Sequence, residues 1–163
     1  MSPAPSPTAP APVRPLLAAL FVVSGFSAVA YQVVLSRYVQ LIVGSTAYAI
    51  SALLVAFMIG MSAGSALGGR WTDRTTHPLR LYALAEAAIG AYCVAFPAIF
   101  PALQAFYLEV APPIEGPLGP RNLVRFLLGV AAFVVPSFFM GITTPAYTKA
   151  LAAGRPDMGR RVA

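Results

Sequence analysis

Four long apolar runs constrain this chain more than any other feature of its sequence. They cover residues 16–35, 47–67, 81–103 and 123–142. A helix needs about 20 apolar residues to cross a hydrocarbon layer of about 30 Å, because each residue adds about 1.5 Å. Backbone polar groups find no water inside lipid, so such runs are stable there only as helices. The sequence predicts an all-α, polytopic membrane bundle of about four transmembrane helices.

The composition agrees with lipid as the solvent. Of the 163 residues, 58% are apolar and 10% are charged, whereas soluble domains are about 45–50% apolar and about 25% charged. Four spans also leave no room for a soluble enzyme domain of about 100–150 residues. A single cysteine and a single histidine exclude the usual zinc sites. We expect no enzyme activity, metal or cofactor, and we expect the bilayer and other transmembrane helices, from this chain or another, as partners.

The basic residues predict how the chain is oriented. The net charge is +6, but the 11 Lys and Arg residues flank the apolar runs and form no face for nucleic acid. An N-in, C-in topology places eight of them inside and three outside, as the positive-inside rule requires, and we expect a bacterial inner membrane. The inside set is Arg14, Arg70, Arg74, Arg80, Lys149, Arg155, Arg160 and Arg161, and the outside set is Arg37, Arg121 and Arg125.

The two ends of the chain differ from its apolar middle. Six prolines near the N-terminus predict an unfolded segment. A signal-peptide interpretation stays open, because Arg14 precedes an apolar stretch that ends in Ala28-Val29-Ala30. The run continues past that point to Leu35, which favours a retained span. The predicted domains are a disordered tail at 1–15, a transmembrane domain at 16–151 and a basic cytoplasmic tail at 152–163.

A stripe of small residues marks the second run. Ala56, Gly60, Gly64 and Gly68 recur every four residues and share one helix face. Small residues let two backbones approach closely in lipid, where van der Waals contact replaces the hydrophobic effect. The stripe predicts a helix–helix contact, which is either static packing or a face on which a partner helix docks or slides.

Glu86 is the strongest candidate for a functional residue. It lies inside the third apolar run, where a carboxylate is costly unless it is paired, protonated or hydrated. It is a candidate ligand for a proton or an amine, and the alternative is a structural pair with Arg70 or Arg74. Tyr31 and Gln32 in the first run are further candidates for the same cation site, although bonding between helices is the alternative for Gln32.

The charged segment after the second run suggests a clamp. Arg70, Asp73 and Arg74 follow the glycine stripe within a predicted cytoplasmic loop. An acid between two arginines at a helix end can hold a neighbouring helix terminus by charge and hydrogen bonds. The alternative is a charged turn that only fixes the orientation of the chain.

Short stretches spread over about residues 20–162 carry a family resemblance. They resemble the N-terminal membrane domain of membrane-bound, fused spermidine synthase-like proteins of the polyamine aminopropyltransferase family. The matching stretches are Ser24-Gly25-Phe26, Ala30-Tyr31-Gln32, Ser36-Arg37, Gly44-Ser45-Thr46-Ala47-Tyr48-Ala49, Phe57-Met58-Ile59-Gly60, Gly64-Ser65-Ala66-Leu67-Gly68-Gly69-Arg70, Asp73-Arg74, Leu81-Tyr82-Ala83-Leu84-Ala85-Glu86, Phe138-Phe139-Met140-Gly141-Ile142-Thr143-Thr144-Pro145 and Gly159-Arg160-Arg161.

The resemblance implies a membrane module that precedes further helices and a soluble Rossmann-like aminopropyltransferase domain, which binds decarboxylated S-adenosylmethionine and putrescine. That domain's Gly-rich loop and catalytic Asp have no matching positions here, so no catalytic residue is carried over. The resemblance implies an anchoring, regulatory or polyamine-handling role beside such a domain, and we expect the chain to be a truncated or split part of such a protein.

Two other functions stay open at this stage. The segment from Gly69 to Arg74 also looks like the loop between helices two and three of the major facilitator superfamily, where it is a gating clamp, although the basic end of that motif is missing. The chain would then be part of a transporter. The glycine stripe would alternatively make it a small membrane assembly subunit.

Overall fold

Four long helices make up the described part of the chain. The computed structural model describes residues 13–43, 46–110 and 120–152. The helices are α1 (Val13–Val43), α2 (Thr46–Arg74), α3 (Pro78–Val110) and α4 (Pro120–Ala152). Each is long and apolar enough to cross a membrane. The predicted all-α bundle of four membrane-spanning helices is therefore confirmed, whereas its N-in, C-in orientation stays a prediction.

Every helix extends beyond the apolar run that predicted it. α1 begins at Val13, so the last three residues assigned to the tail are helical, and Pro15 is tolerated there because the first turn needs no N–H donors. The same helix continues past Ser36-Arg37 to Val43, since Tyr38 and Val39 pack into the core. α2 continues through the charged segment to Arg74. The remainder of the predicted tails, 1–12 and 153–163, lies outside the described residues.

Contacts near the helix ends establish an antiparallel up-and-down bundle. At one end the Phe21 ring of α1 stacks on the Tyr147 ring of α4, with ring centroids 4.1 Å apart. At the other end Arg125 of α4 donates a hydrogen bond to the Tyr107 hydroxyl of α3. The start of α1, the end of α2, the start of α3 and the end of α4 therefore share one end of the bundle, which is called the α2-C end below.

The tightest contact in the molecule is the seam between α2 and α4. A Cβ atom on Gly60 would lie 2.6 Å from the Ser137 Cβ, and one on Gly68 would lie 2.8 Å from the Ile142 Cα. Both distances are shorter than any real carbon contact, so only glycine fits. The exposed fraction of Ala56 is 0%. The three glycines of the stripe predicted from the sequence thus lie against α4 of the same chain, and Ala56 is buried in the core.

Two prolines inside α4 explain two of the bonds between helices. Pro136 and Pro145 have no N–H group, so the carbonyls of Ala132 and Gly141, four residues earlier, lose their helical donors. The Tyr92 hydroxyl of α3 donates to the Ala132 carbonyl at 2.7 Å. The Ser65 hydroxyl of α2 donates to the Gly141 carbonyl at 3.2 Å. Neighbouring helices therefore supply the donors that the prolines remove.

An aromatic cluster closes the bundle interior away from the α2-C end. The Tyr38 ring packs edge-on against Phe96 and Phe100, with centroids 5.6 and 5.0 Å apart. Phe96 and Phe133 each expose 1% of their surface. Leu35 and Val39 of α1 complete this buried core.

Candidate intramembrane cation site

Glu86 lies in the interior of the bundle, about 12 Å along α3 from Pro78, at about 1.5 Å per residue. It is only partly exposed. The Ser24 hydroxyl of α1 donates a hydrogen bond of 2.5 Å to its Oε1 atom. This bond joins residues 62 positions apart in the sequence, so it fixes α1 against α3 at the depth of the acid.

A cavity of about 160 Å³ opens beside the carboxylate. It lies among all four helices, and a water molecule needs only about 10–15 Å³ of such space. Several waters, or a small organic ion, therefore fit next to Glu86. Its lining residues are Phe21, Ser24, Gly25, Ala28, Met61, Glu86, Ile89, Met140, Thr143 and Thr144.

Two of the three hydroxyl groups that line this cavity have already donated their protons, and Thr144 carries the third. Ser24 donates to Glu86, and Thr143 donates to the Met140 carbonyl at 2.7 Å. Each hydroxyl carries one proton and two lone pairs, so both oxygens can now only accept. Together with the carboxylate they give the cavity three acceptors. Such a lining suits a ligand that carries several N–H or O–H donors.

Tyr82 adds a buried polar atom near the carboxylate. Its side chain is 8% exposed, and its hydroxyl interacts electrostatically with Ser24 and Glu86. The hydroxyl oxygen nevertheless makes no hydrogen bond of acceptable geometry within the described chain. Buried polar groups are nearly always satisfied, and Ser24 and Glu86 lie near enough to be the partners of this hydroxyl, which is one turn of α3 before Glu86.

No cationic side chain of the described residues neutralises Glu86. The structural alternative, a pair with Arg70 or Arg74, is not formed in the part of the chain that the structure describes. Both arginines are exposed on the last turns of α2. An acid that packs inside an apolar bundle without a basic partner keeps the requirement for a proton, water or a cation.

The two other predicted site residues lie in a neighbouring cavity. Gln32 and Tyr31 line a pocket of about 20 Å³, deeper in the bundle than Glu86. This pocket shares Ala28 and Met140 with the Glu86 cavity. The structure thus brings Gln32 close to the acid along one face of α1 but does not place it in the same cavity. Tyr31 exposes 41% of its surface.

The predicted clamp of Arg70, Asp73 and Arg74 does not form as expected. All three lie on helix α2 rather than in a loop, and within the described ranges their side chains make no hydrogen bond or ion pair. The contact at this end comes from Lys149 of α4. Its ammonium donates to the backbone carbonyls of Asp73 at 3.2 Å and Thr75 at 3.2 Å, and also to that of Thr72.

Lys149 therefore caps α2 from another helix. The last carbonyls of a helix have no partner within it, and they carry partial negative charge that favours a cation. One lysine satisfies two of them here, those of Thr72 and Asp73, together with the Thr75 carbonyl just beyond the helix. In the sequence Lys149 is only an orientation signal, because nothing in its local sequence reveals a partner about 75 positions away.

Sequence reasoning also missed Ser24 as the partner of Glu86. A signal for it existed, because Ser24, Ala28 and Gln32 are four residues apart and share one face of α1. A polar residue on the same face as Gln32 would have indicated the side of α1 that turns inward. Thr143 and Tyr82 carried no comparable signal, since hydroxyl groups in lipid often bond only to their own helix.

Comparison with known protein families, curated proteins and solved structures finds no match for this chain. The fold and the apolar helices define the class, which is a multi-pass helical membrane protein. Among the described residues, no group of three or more His, Cys, Asp or Glu side chains could hold a metal ion.

Proposed function

We propose that this chain is a non-catalytic membrane module that binds a small organic ammonium ion at Glu86. The single observation that carries the proposal is a carboxylate without a cationic partner among the described residues, which faces a cavity where the hydroxyls of Ser24 and Thr143 can only accept. An ammonium group carries a positive charge, which can pair with Glu86. It also carries N–H donors, from which the lining oxygens can accept hydrogen bonds. An anion would be repelled by the Glu86 carboxylate, and a donor-poor neutral molecule would leave these acceptors without donors.

Burial strengthens this preference. Charges interact more strongly in the interior of a protein than in water, because less solvent screens them. A bound cation therefore stabilises the Glu86 carboxylate more than it would stabilise an exposed carboxylate, provided that the hydrogen-bond donors and acceptors match. Water can fill the same cavity in the absence of a ligand, so the site need not hold a bare charge.

The family resemblance suggests which amines to test. A spermidine synthase-like membrane module would meet polyamines and their diamine precursors, so a polyamine-handling role, beside an enzyme domain in a bacterial inner membrane, is the specific form of the proposal. The residues that support it here are Glu86 and its neighbours Ser24 and Tyr82. Gln32 and Tyr31 belong to this proposal only as the deeper pocket.

Binding to the purified protein in lipid nanodiscs tests the proposal. Titration calorimetry with spermidine and with ethylammonium would compare the parent chain with Glu86→Gln. We expect at least about tenfold weaker binding in the variant, because a lost charged hydrogen bond is worth about 1.5–3 kcal/mol and about 1.4 kcal/mol corresponds to tenfold.

The matched control is Glu109→Gln. Glu109 is the other glutamate of α3, but it is exposed at the far end of the helix, so its variant should keep the parent affinity. Equal affinity in the parent chain and Glu86→Gln would refute the proposal. So would an equal loss in both variants, because it would indicate nonspecific attraction of cations to acidic groups.

A further inference from the structure

Three cavities adjoin one another along the inner face of α4. The outermost has a volume of about 440 Å³ and lies at the α2-C end. It shares Thr144 with the Glu86 cavity of about 160 Å³. That cavity in turn shares Ala28 and Met140 with the Gln32 pocket of about 20 Å³. The volumes and the access to the outside both decrease from the first cavity to the third.

The sequence of α4 explains why the cavities follow one line. Pro136, Met140, Thr144 and Thr148 are four residues apart, so they lie on one face of the helix. From Thr148 to Pro136 this face extends about 18 Å, at about 1.5 Å per residue. A hydrocarbon layer is about 30 Å thick, so the line of cavities reaches past its middle without crossing it.

The inner end of the line is closed. Leu35 and Phe133 line the Gln32 pocket and also belong to the buried core. Beyond them lie the rings of Tyr92, Phe96 and Phe100, which pack against one another. The buried core and these rings thus occupy the space between the Gln32 pocket and the far end of the bundle.

From these cavities we propose that the chain contains a one-sided inlet, through which a small primary ammonium ion reaches Glu86 only from the α2-C end. This inference rests on the proposed function, because Glu86 is the binding group, and it adds the side of access. The positive-inside prediction assigns the α2-C end to the cytoplasm. The Gln32 pocket, with room for a single water, is the dead end of the inlet.

One acid and one base line the mouth of the inlet, at an end of the bundle that is otherwise basic. Asp73 and Lys149 are the charged residues that line the outermost cavity. The Lys149 ammonium is already engaged by two carbonyls of the α2 terminus and by the Thr75 carbonyl just beyond it, and those carbonyls offset its charge. The exposed Asp73 carboxylate makes no ion pair within the described chain, so it is available to attract an incoming ammonium ion.

Met140 separates the binding cavity from the dead end. Its unbranched side chain borders both cavities, and a thioether adapts its shape easily. Ala28 faces it from α1 as the second shared residue. Because the pocket beyond them holds about one water, a ligand larger than water stops at Glu86.

Cysteine accessibility in oriented vesicles tests the inlet. Cys93 is the only cysteine of the chain, so Cys93→Ser gives a background in which Thr144→Cys and Ala28→Cys can be compared. A membrane-impermeant, trimethylammonium-bearing methanethiosulfonate would be applied from either side. We expect both cysteines to react only from the α2-C end, and Ala28→Cys about tenfold more slowly because it lies deeper.

Met58→Cys is the matched control. Met58 is 68% exposed on α2 but faces lipid in a spanning helix, where no aqueous reagent arrives, so it should stay unmodified from both sides. Ethylammonium at saturating concentration should slow the reaction of Ala28→Cys at least threefold, and the additional change Glu86→Gln should remove this protection.

The outcomes separate the inlet from the binding site. Reaction of Ala28→Cys from the opposite side, or of neither inlet cysteine, would overturn the inlet even if calorimetry shows binding that depends on Glu86. One-sided reaction without protection by ethylammonium would support the inlet and count against the proposed function. Reaction of Met58→Cys at the rate of Ala28→Cys would also overturn the inlet, because access would then not follow the cavities.

Discussion

The α2–α4 seam and helix α1 represent opposite ways to build a membrane bundle. In an apolar window of 18 residues within α4, 33% of the residues are buried within the chain, whereas in the corresponding window of α1 the share is 6%. The seam joins backbones through glycines, and its contacts are set by backbone atoms on both sides. α1 instead presents Val22, Phe26 and Leu41 outward, and it touches the bundle through a few polar and aromatic side chains.

This difference separates the parts that hold the chain together from the parts that shape its cavities. In lipid the hydrophobic effect does not favour contact between helices, so close packing and hydrogen bonds decide which helices stay together. α2 and α4 have both. α1 contributes Ser24 and Ala28 to the cavities around Glu86, although it is held less firmly. The three predictions below test this contrast, and each compares a residue of the seam or of its end with one of α1.

The largest effect is expected from a single methyl group. A Cβ on Gly64 would collide with the Phe138 carbonyl, whereas one on Gly25 of α1 would meet no atom within 4 Å. Gly64→Ala should therefore destabilise the fold by about 2–3 kcal/mol, within the range of overpacked cores. Gly25→Ala should stabilise it by about 0.5–1 kcal/mol, because alanine is the better helix former. SDS-driven unfolding in mixed micelles measures both; a loss of similar size in the two variants would contradict the contrast.

A smaller effect is expected at the end of the seam. Lys149→Met keeps most of the side-chain volume but removes the ammonium from two carbonyls at the end of α2 and from the Thr75 carbonyl that follows it. We expect a loss of about 1–2 kcal/mol, since charged hydrogen bonds are worth about 1.5–3 kcal/mol and water at the helix end replaces part of them. Thermal unfolding in detergent would report the change.

Arg37→Met on α1 is the control for Lys149. Its guanidinium is exposed, and it makes no hydrogen bond or ion pair with another described residue. Its loss should change the unfolding free energy by less than about 0.5 kcal/mol. A larger effect of Arg37→Met than of Lys149→Met would mean that the charge itself, and not the capping contact, determines stability.

The smallest effect is expected from two serines. Ser65 donates to the Gly141 carbonyl that Pro145 leaves without its helical donor, and Ser27 of α1 donates to the Val23 carbonyl of its own helix. Ser65→Ala should cost about 0.6–1.7 kcal/mol, the range for hydrogen bonds between membrane helices. Ser27→Ala should be close to neutral, because Val23 keeps its N–H partner. Equal losses of unfolding free energy in the two variants would show that the carbonyl left free by Pro145 does not strengthen the Ser65 hydrogen bond.

The sequence predicted the seam far better than the site. Periodic apolar runs and a four-residue glycine repeat are local patterns, so they revealed the four spans and the face of α2 that packs. The bond from Ser24 to Glu86 and the cap by Lys149 join residues 62 to 77 positions apart. No local pattern encodes such pairs, because they depend on how the helices are arranged in space. For the same reason the sequence did not reveal that Gln32 and Glu86, which were predicted to share one site, line separate cavities.

The prolines of α4 have a consequence for how the chain enters the membrane. α4 is synthesised after α2 and α3, and on its own it would carry two bare carbonyls, Ala132 and Gly141, into hydrocarbon. Their donors, Tyr92 and Ser65, are on the two helices made earlier. Insertion of α4 is therefore coupled to its docking, and a translocon would release α4 most readily where its partners are already in place.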